Sequence, residues 1–201
     1  VNVDGAGSSL KVQEDVRISS ENAGTSTLSV KNGGTAEANS LDIYSYGYYD
    51  QSNQPIITGE TSVNVDGAGS SLKVQEDVRI SSRNSGTSTL TIENGGTAEA
   101  GNLYIGSDDY NNSTSTASKS IVNVSGNGSS LTVNNLYAGI GSSDNGPHIS
   151  VEDVDAVDAI NAVNEINITN EAVLNSNNAY IGSSAGVDAK VSLASGAQWN
   201  N

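Results

Sequence analysis

Val1–Ser20 reads VNVDGAGSSLKVQEDVRISS, and the same letters return at Val63–Ser82. The likeness runs on, because TSTLSVKNGGTAEA at Thr25–Ala38 is answered by TSTLTIENGGTAEA at Thr87–Ala100. A third, diverged copy begins at Val122 with VNVSGNGSSLTV, and a fourth start, VSLASGAQWNN, begins at Val191. Units 1–62, 63–121 and 122–190, with a part unit 191–201, thus divide the chain. Repetition at a fixed period marks a solenoid, in which each unit packs on its neighbours and together they build one core. An antiparallel β-sandwich is the main rival, yet it gives no reason for a segment to recur letter for letter.

Within each unit the apolar residues alternate over short runs: Val1 and Val3, Leu10 and Val12, Val16 and Ile18, then Leu28 and Val30, Ala36 and Ala38, Leu41 and Ile43. Period-2 alternation is the signal of a half-buried strand. Between the runs stand DGAGSS, ENAGTS and KNGGT, whose Gly and Asn tolerate positive φ. Three short strands and their turns make one coil. Coils are expected to start near Val1, Leu28, Val63, Leu90, Val122, Ile166 and Val191. The predicted fold is all-β, a right-handed parallel β-helix of about seven coils, roughly 30–35 Å long at the inter-strand spacing. Two insertions interrupt it, at 45–62 and 141–165. Val3 and Val65 should fall on one inward ladder, and Ala36, Ala38, Ala98 and Ala100 should sit where the section narrows. Asn2, Lys11, Arg17 and Asp42 face outward and recur as Asn64, Lys73, Arg79 and Tyr104.

Composition narrows the function. The protein has 201 residues, a net charge of −15 and eight basic residues, with no Cys, Met or Phe. Scattered Lys and Arg in so acidic a sequence argue against nucleic acid or an anionic membrane surface as partner. The absence of Cys removes disulfides and thiolate zinc sites and is compatible with export. No apolar run reaches the roughly 18 residues that span a bilayer.

The string V-x-V-x-G-x-G-S-x-L at Val1–Leu10, Val63–Leu72 and Val122–Leu131 resembles the repeat of autotransporter passengers of type V secretion. So do LYIG at Leu103–Gly106, the run Thr89–Thr97 and YIGSSAG at Tyr180–Gly186. The family often has Trp where Leu10, Leu72 and Leu131 stand here, and Trp199 keeps that aromatic; Val16 and Val78 open VRISS where LYVG is commoner. The resemblance implies a β-helical passenger segment, exported across the outer membrane to the bacterial surface, with an adhesive, self-associating or structural role. It identifies a scaffold far more specifically than an activity.

Loops on a rigid scaffold are where function concentrates. In the first insertion Tyr44, Tyr46, Tyr48 and Tyr49 crowd together ahead of Asp50. Tyrosine joins a large apolar face to a hydroxyl, which suits sugar stacking or protein contact. These five residues are the candidate ligand-binding set, for a surface glycan, a surface protein or a second copy of the protein. The alternative is that alternating Tyr44, Tyr46 and Tyr48 lengthen a strand along the helix side. In the second insertion Ser150 and Asp153 have capping-box spacing, and Val151, Val154, Val157, Ile160 and Val163 recur every three residues, as on a short helix. Glu152, Asp153, Asp155 and Asp158 lack any calcium-loop spacing and read as a solvated acidic face.

A β-helical lyase or glycosidase acting on polysaccharide is the alternative class. It needs convergent carboxylates, or a base beside a cation. Asp108 and Asp109 are adjacent and would point apart in a strand, and lone His148 has no nucleophile motif beside it. No catalytic residue, metal or cofactor is assigned. The TxT pairs Thr25/Thr27 and Thr87/Thr89 are too few for an ice-matching face.

Overall fold

In the computed structural model the alternating runs become strands that stack in parallel on the runs of the coils above and below. The structure describes residues 1–21, 23–49, 55–83, 85–107, 118–139, 162–182 and 187–201. Among them there is no helix, and the fold is a parallel β-helix.

A seven-stranded sheet forms the first face of the rod. Its strands are Asn2–Asp4, Thr25–Lys31, Glu60–Asp66, Thr87–Glu93, Lys119–Ser125, Ala162–Thr169 and Val187–Leu193. A ten-stranded sheet bends to give the other two. In the first three coils its runs are separate: Ser9–Lys11, Thr35–Ala38 and Ser71–Val74 on the second face, and Val16–Glu21, Leu41–Tyr46 and Asp77–Arg83 on the third. From the fourth coil one strand spans both, as Thr97–Ser107, Ser130–Ala138 and Val173–Ile181, and Gln198–Asn200 closes the second face.

The register follows the repeats. Leu28, Val63, Leu90, Val122, Ile166 and Val191 stand in one inward column, and the Val1 carbonyl accepts the Ser29 N–H at 2.9 Å beneath it. The next column is Val3, Val30, Val65, Ile92, Val124, Ile168 and Leu193, so Val3 and Val65 are equivalent. The inner members of both columns are fully buried, while Val1 and Leu193 at the ends are 71% and 45% exposed. Stacking is what removes each row from water, at about 1.5–3 kcal/mol for a fully buried Val, Leu or Ile.

On the second face the inward column is Leu10, Ala36, Leu72, Ala98, Leu131, Leu174 and Trp199. Large and small alternate through its first four members. The NGG turns explain their glycines. Asn32 and Gly33 have φ of 53° and 84°, a conformation open to Asn and Gly. At Gly34 a Cβ would stand 2.6 Å from the Val3 carbonyl oxygen, so this coil would be pushed off the one before it.

Inside the corner between the third face and the next coil's first face runs a column of buried hydroxyls. Ser20 meets Thr61 at 2.8 Å, Ser88 donates to Ser45 at 3.0 Å, and Ser82 meets Ser120 at 3.2 Å. Thr61 and Ser120 also donate to the carbonyls of Tyr44 and Gly106. Buried polar groups are tolerated when they pair with one another in this way.

All the long excursions leave and rejoin the rod at this corner: between Tyr46 and Glu60, Ser107 and Lys119, Ala138 and Ala162, and Ile181 and Val187. The coil thus claims residues at both ends of 45–62 and at the far end of 141–165, two segments read as insertions. Part of the first excursion is an antiparallel hairpin, Tyr48–Tyr49 with Pro55–Ile57. The proposed helix over 150–163, and with it Ser150, Glu152, Asp153, Asp155 and Asp158, falls outside the described residues except for Ala162 and Val163. Val163 lies in a strand.

Candidate functional site

The outer surface of the third face gathers the side chains with the most recognition chemistry. Alternation points Leu41, Ile43 and Ser45 inward, which leaves Asp42, Tyr44 and Tyr46 outward and half-buried. Stacking then aligns one outward column as Arg17, Asp42, Arg79, Tyr104, Tyr137 and Tyr180. Tyr44 stands beside it between Ser19 and Ser81, and Tyr46 stands between Glu21 and Arg83. All three arginines of the protein, Arg17, Arg79 and Arg83, therefore lie on this face.

The aromatic rings are engaged along the column. Tyr104 and Tyr137 stack with centroids 4.9 Å apart and planes 5° from parallel, and Tyr137 and Tyr180 repeat this at 5.0 Å and 6°. The Arg79 guanidinium lies 5.7 Å from the Tyr104 centroid, and that of Arg17 lies 5.4 Å from Tyr44. Each contact contributes on the order of 0.5–1.5 kcal/mol. Arg79 also pairs with Asp77 and, at 3.7 Å, with Asp42. Burial, then the Asp77 charge and Tyr137, raise the Tyr104 phenol above its ordinary pKa, against the opposing pull of Arg79.

Next to the tyrosines runs an amide ladder. Asn178 donates to Asn135 at 2.9 Å, Asn135 to Asn102 at 2.7 Å, and Asn102 to the Asp77 carboxylate at 2.7 Å. An amide both donates and accepts, so this series of bonds has a direction, and Asp77 as a pure acceptor terminates it.

This arrangement changes how the tyrosines would recognise a ligand. Tyr104 and Tyr137, whose rings are covered on both sides, present edges and hydroxyls outward, not open platforms for a sugar ring, whereas Tyr180 is stacked on one side and 53% exposed. The face offers hydrogen bonds from phenols, amides and guanidinium groups. Of the residues picked from sequence, Tyr44 and Tyr46 lie on this face. Tyr48 and Tyr49 belong to the hairpin at its edge, and Asp50 lies outside the described residues.

The column Tyr104–Tyr137–Tyr180 was missed by sequence reasoning. Its signal is present in LYIG, LYAG and AYIG at 103–106, 136–139 and 179–182, but excursions of unequal length separate the three copies. Asp108, Asp109 and His148 lie outside the described residues. Thr25 and Thr27 stack on Glu60 and Ser62, not on another TxT pair. Among the described residues no three His, Asp or Glu converge to hold a metal ion, and no helix is long and apolar enough to cross a membrane.

The fold is a parallel β-helix whose third face carries outward columns of arginine, asparagine and tyrosine. No protein-family model, curated protein or solved structure matches it.

Proposed function

We propose that this protein is a non-enzymatic β-helical passenger segment, exported across the outer membrane to a bacterial surface, where it acts in adhesion or self-association. The observation that carries this reading is the third face. It gathers all three arginines and five of the eight tyrosines, Tyr44, Tyr46, Tyr104, Tyr137 and Tyr180, on one side of an acidic rod. A rod that repeats one coil geometry places such groups in columns and keeps them outside, where a large partner reaches them. The edge-on phenols, amides and guanidinium groups suit the hydroxyls and carboxylates of a surface glycan, or the polar surface of a protein. The autotransporter-like repeat strings support the secretion route.

Replacing Tyr46, Tyr48 and Tyr49 together by Ala tests the reading. Binding to bacterial cells or to immobilised glycans should fall, with the melting temperature nearly unchanged. Unchanged binding with a large loss of stability would instead make these tyrosines part of the scaffold.

A further inference from the structure

Three Asn-Gly steps lie among the described residues, all at the corner between the first and second faces, and the fold treats one of them differently. At Asn32-Gly33 and Asn94-Gly95 both residues have positive φ, 53° and 84° in one case and 52° and 86° in the other. The turns close through Gly34 N–H to Lys31 O at 3.0 Å and Gly96 N–H to Glu93 O at 2.9 Å, as type I′ turns do. Each reactive partner is also held. The Asn32 amide donates to Asp4 at 2.8 Å, and the Gly33 N–H donates to the Ser70 hydroxyl at 3.0 Å. Asn94 and Gly95 repeat this with Asp66 at 2.8 Å and Ser129 at 2.9 Å.

Asn127-Gly128 sits in a turn of another kind. Ser129 N–H donates to Gly126 O at 3.0 Å, Gly128 has φ of 81°, and Asn127 is not among the positive-φ residues. That is a type II turn with Asn127 in its first central position, where the first two repeats carry Ala6 and Ala68. Asn127 is exposed, and neither its amide nor the Gly128 N–H has a hydrogen-bond partner among the described residues.

We propose that Asn127 is a site of spontaneous covalent modification, converting through a cyclic imide to aspartate and isoaspartate. The Gly128 nitrogen gives its proton to hydroxide and attacks the carbonyl carbon of the Asn127 amide. The bond from that carbon to the amide nitrogen breaks, and ammonia leaves with a proton taken from water. Water then opens the five-membered imide at either carbonyl, so the backbone runs on through the α-carboxyl or, in isoaspartate, through the β-carboxyl. No oxidant or cofactor enters the balance. Gly128 has no Cβ to hinder the attack. At the other two steps, attack first requires two hydrogen bonds to break. The product adds a carboxylate where coil five meets coil six, beside the bond from Gly126 N–H to Thr169 O at 3.3 Å. It loosens that corner and makes a protein of net charge −15 more acidic.

The test incubates the folded protein in mildly alkaline buffer and follows each step by peptide mass mapping with isoaspartate detection. Cleavage after Tyr137 puts Asn145-Gly146, which is outside the described residues, on a separate peptide. Asn127 should convert at least about tenfold faster than Asn32 and Asn94, since one lost hydrogen bond already approaches that factor. In urea the three rates should converge. Ser70→Ala should speed Asn32 while leaving Asn127 unchanged, and Asn127→Ala, the residue of the other repeats, should remove the product without loss of fold. Equal rates at the three steps in the folded protein, or an unreacted Asn127, would overturn the proposal. So would an Asn32 rate indifferent to Ser70→Ala.

Discussion

Along the first four coils of the second face stacked neighbours differ, whereas on the third face and the strand leading into it like stands on like from the fourth coil upward. Below, Lys11 lies under Glu37, and the column continues with Lys73 and Glu99. Inside the same coils Leu10, Ala36, Leu72 and Ala98 alternate. Above, Asn102, Asn135 and Asn178 form one column, and Tyr104, Tyr137 and Tyr180 another. On the second face the difference accounts for the length of the repeat. Lys on Lys or Glu on Glu at strand spacing is repulsive, so the Lys11–Glu37–Lys73–Glu99 column alternates over two coils, and the repeat of 62 residues spans two. Amides and aromatic rings are self-complementary. They stack in successive coils with no alternation, and the upper coils have diverged while keeping them.

The strongest test of this contrast is in the interior. Leu72 lies between Ala36 and Ala98, so Leu72→Ala places three small side chains in succession; Leu131 lies between Ala98 and Leu174. Leu72→Ala should cost about 2–5 kcal/mol, near the upper end, and Leu131→Ala should cost less, because its larger neighbour above relaxes into the gap. Denaturant unfolding of the two variants decides. Equal costs would mean that alternation of size does not govern how this column fills.

Why is so much of this register legible in the letters alone? The coil starts depend on strings such as VNV and TLSV, whose alternation fixes which side chains enter, and the strand period of two leaves no freedom once Val3 and Val30 are inside. Leu28, Val63, Leu90, Val122, Ile166 and Val191 therefore fall into one column. The site is less legible. Tyr44, Tyr46, Tyr48 and Tyr49 are conspicuous because they are close in sequence, yet the strand breaks at Gly47, and Tyr48 and Tyr49 pass into the hairpin. Tyr104, Tyr137 and Tyr180 are far apart in sequence and stacked in space. The excursion between Ser107 and Lys119 is hidden because it lies between two repeats that still match. Proximity in sequence is a poor guide in a solenoid, where a residue's neighbours lie one coil away.

A smaller effect separates the two kinds of outer column. Asn135→Ala removes one bond donated to Asn102 and one accepted from Asn178, and should cost about 1–2 kcal/mol whatever the salt concentration. Lys73→Glu places a third carboxylate between Glu37 and Glu99 and should cost about 1 kcal/mol or less, a loss that added salt largely removes. Stability of both variants measured across a salt series tells them apart. A salt-dependent Asn135→Ala, or a salt-independent Lys73→Glu, would break the distinction between amide and charged columns.

The smallest effect expected is in the response to acid. Glu37 is held below its ordinary pKa by the hydrogen bond from Lys11 and by that cation's charge, and Asp4 is lowered chiefly by the amide of Asn32. A carboxylate with a depressed folded pKa contributes stability that is present above its unfolded value and lost as pH falls through the folded one. The first two coils should therefore loosen on acidification. The strand Ser130–Ala138 holds no carboxylate and should be indifferent to it. Both carboxylates are exposed, so the loss is local fraying and not global unfolding. Hydrogen exchange at Thr35–Ala38 and at Ser130–Ala138, compared after correction for the intrinsic pH dependence, reads the difference directly. Protection at the first segment should fall below the ordinary carboxylate range while the second holds. Glu37→Gln should make the first segment nearly as indifferent to acid as the second. An acid response that persists in Glu37→Gln would shift the origin of the fraying to Asp4 and the turn it closes with Asn32.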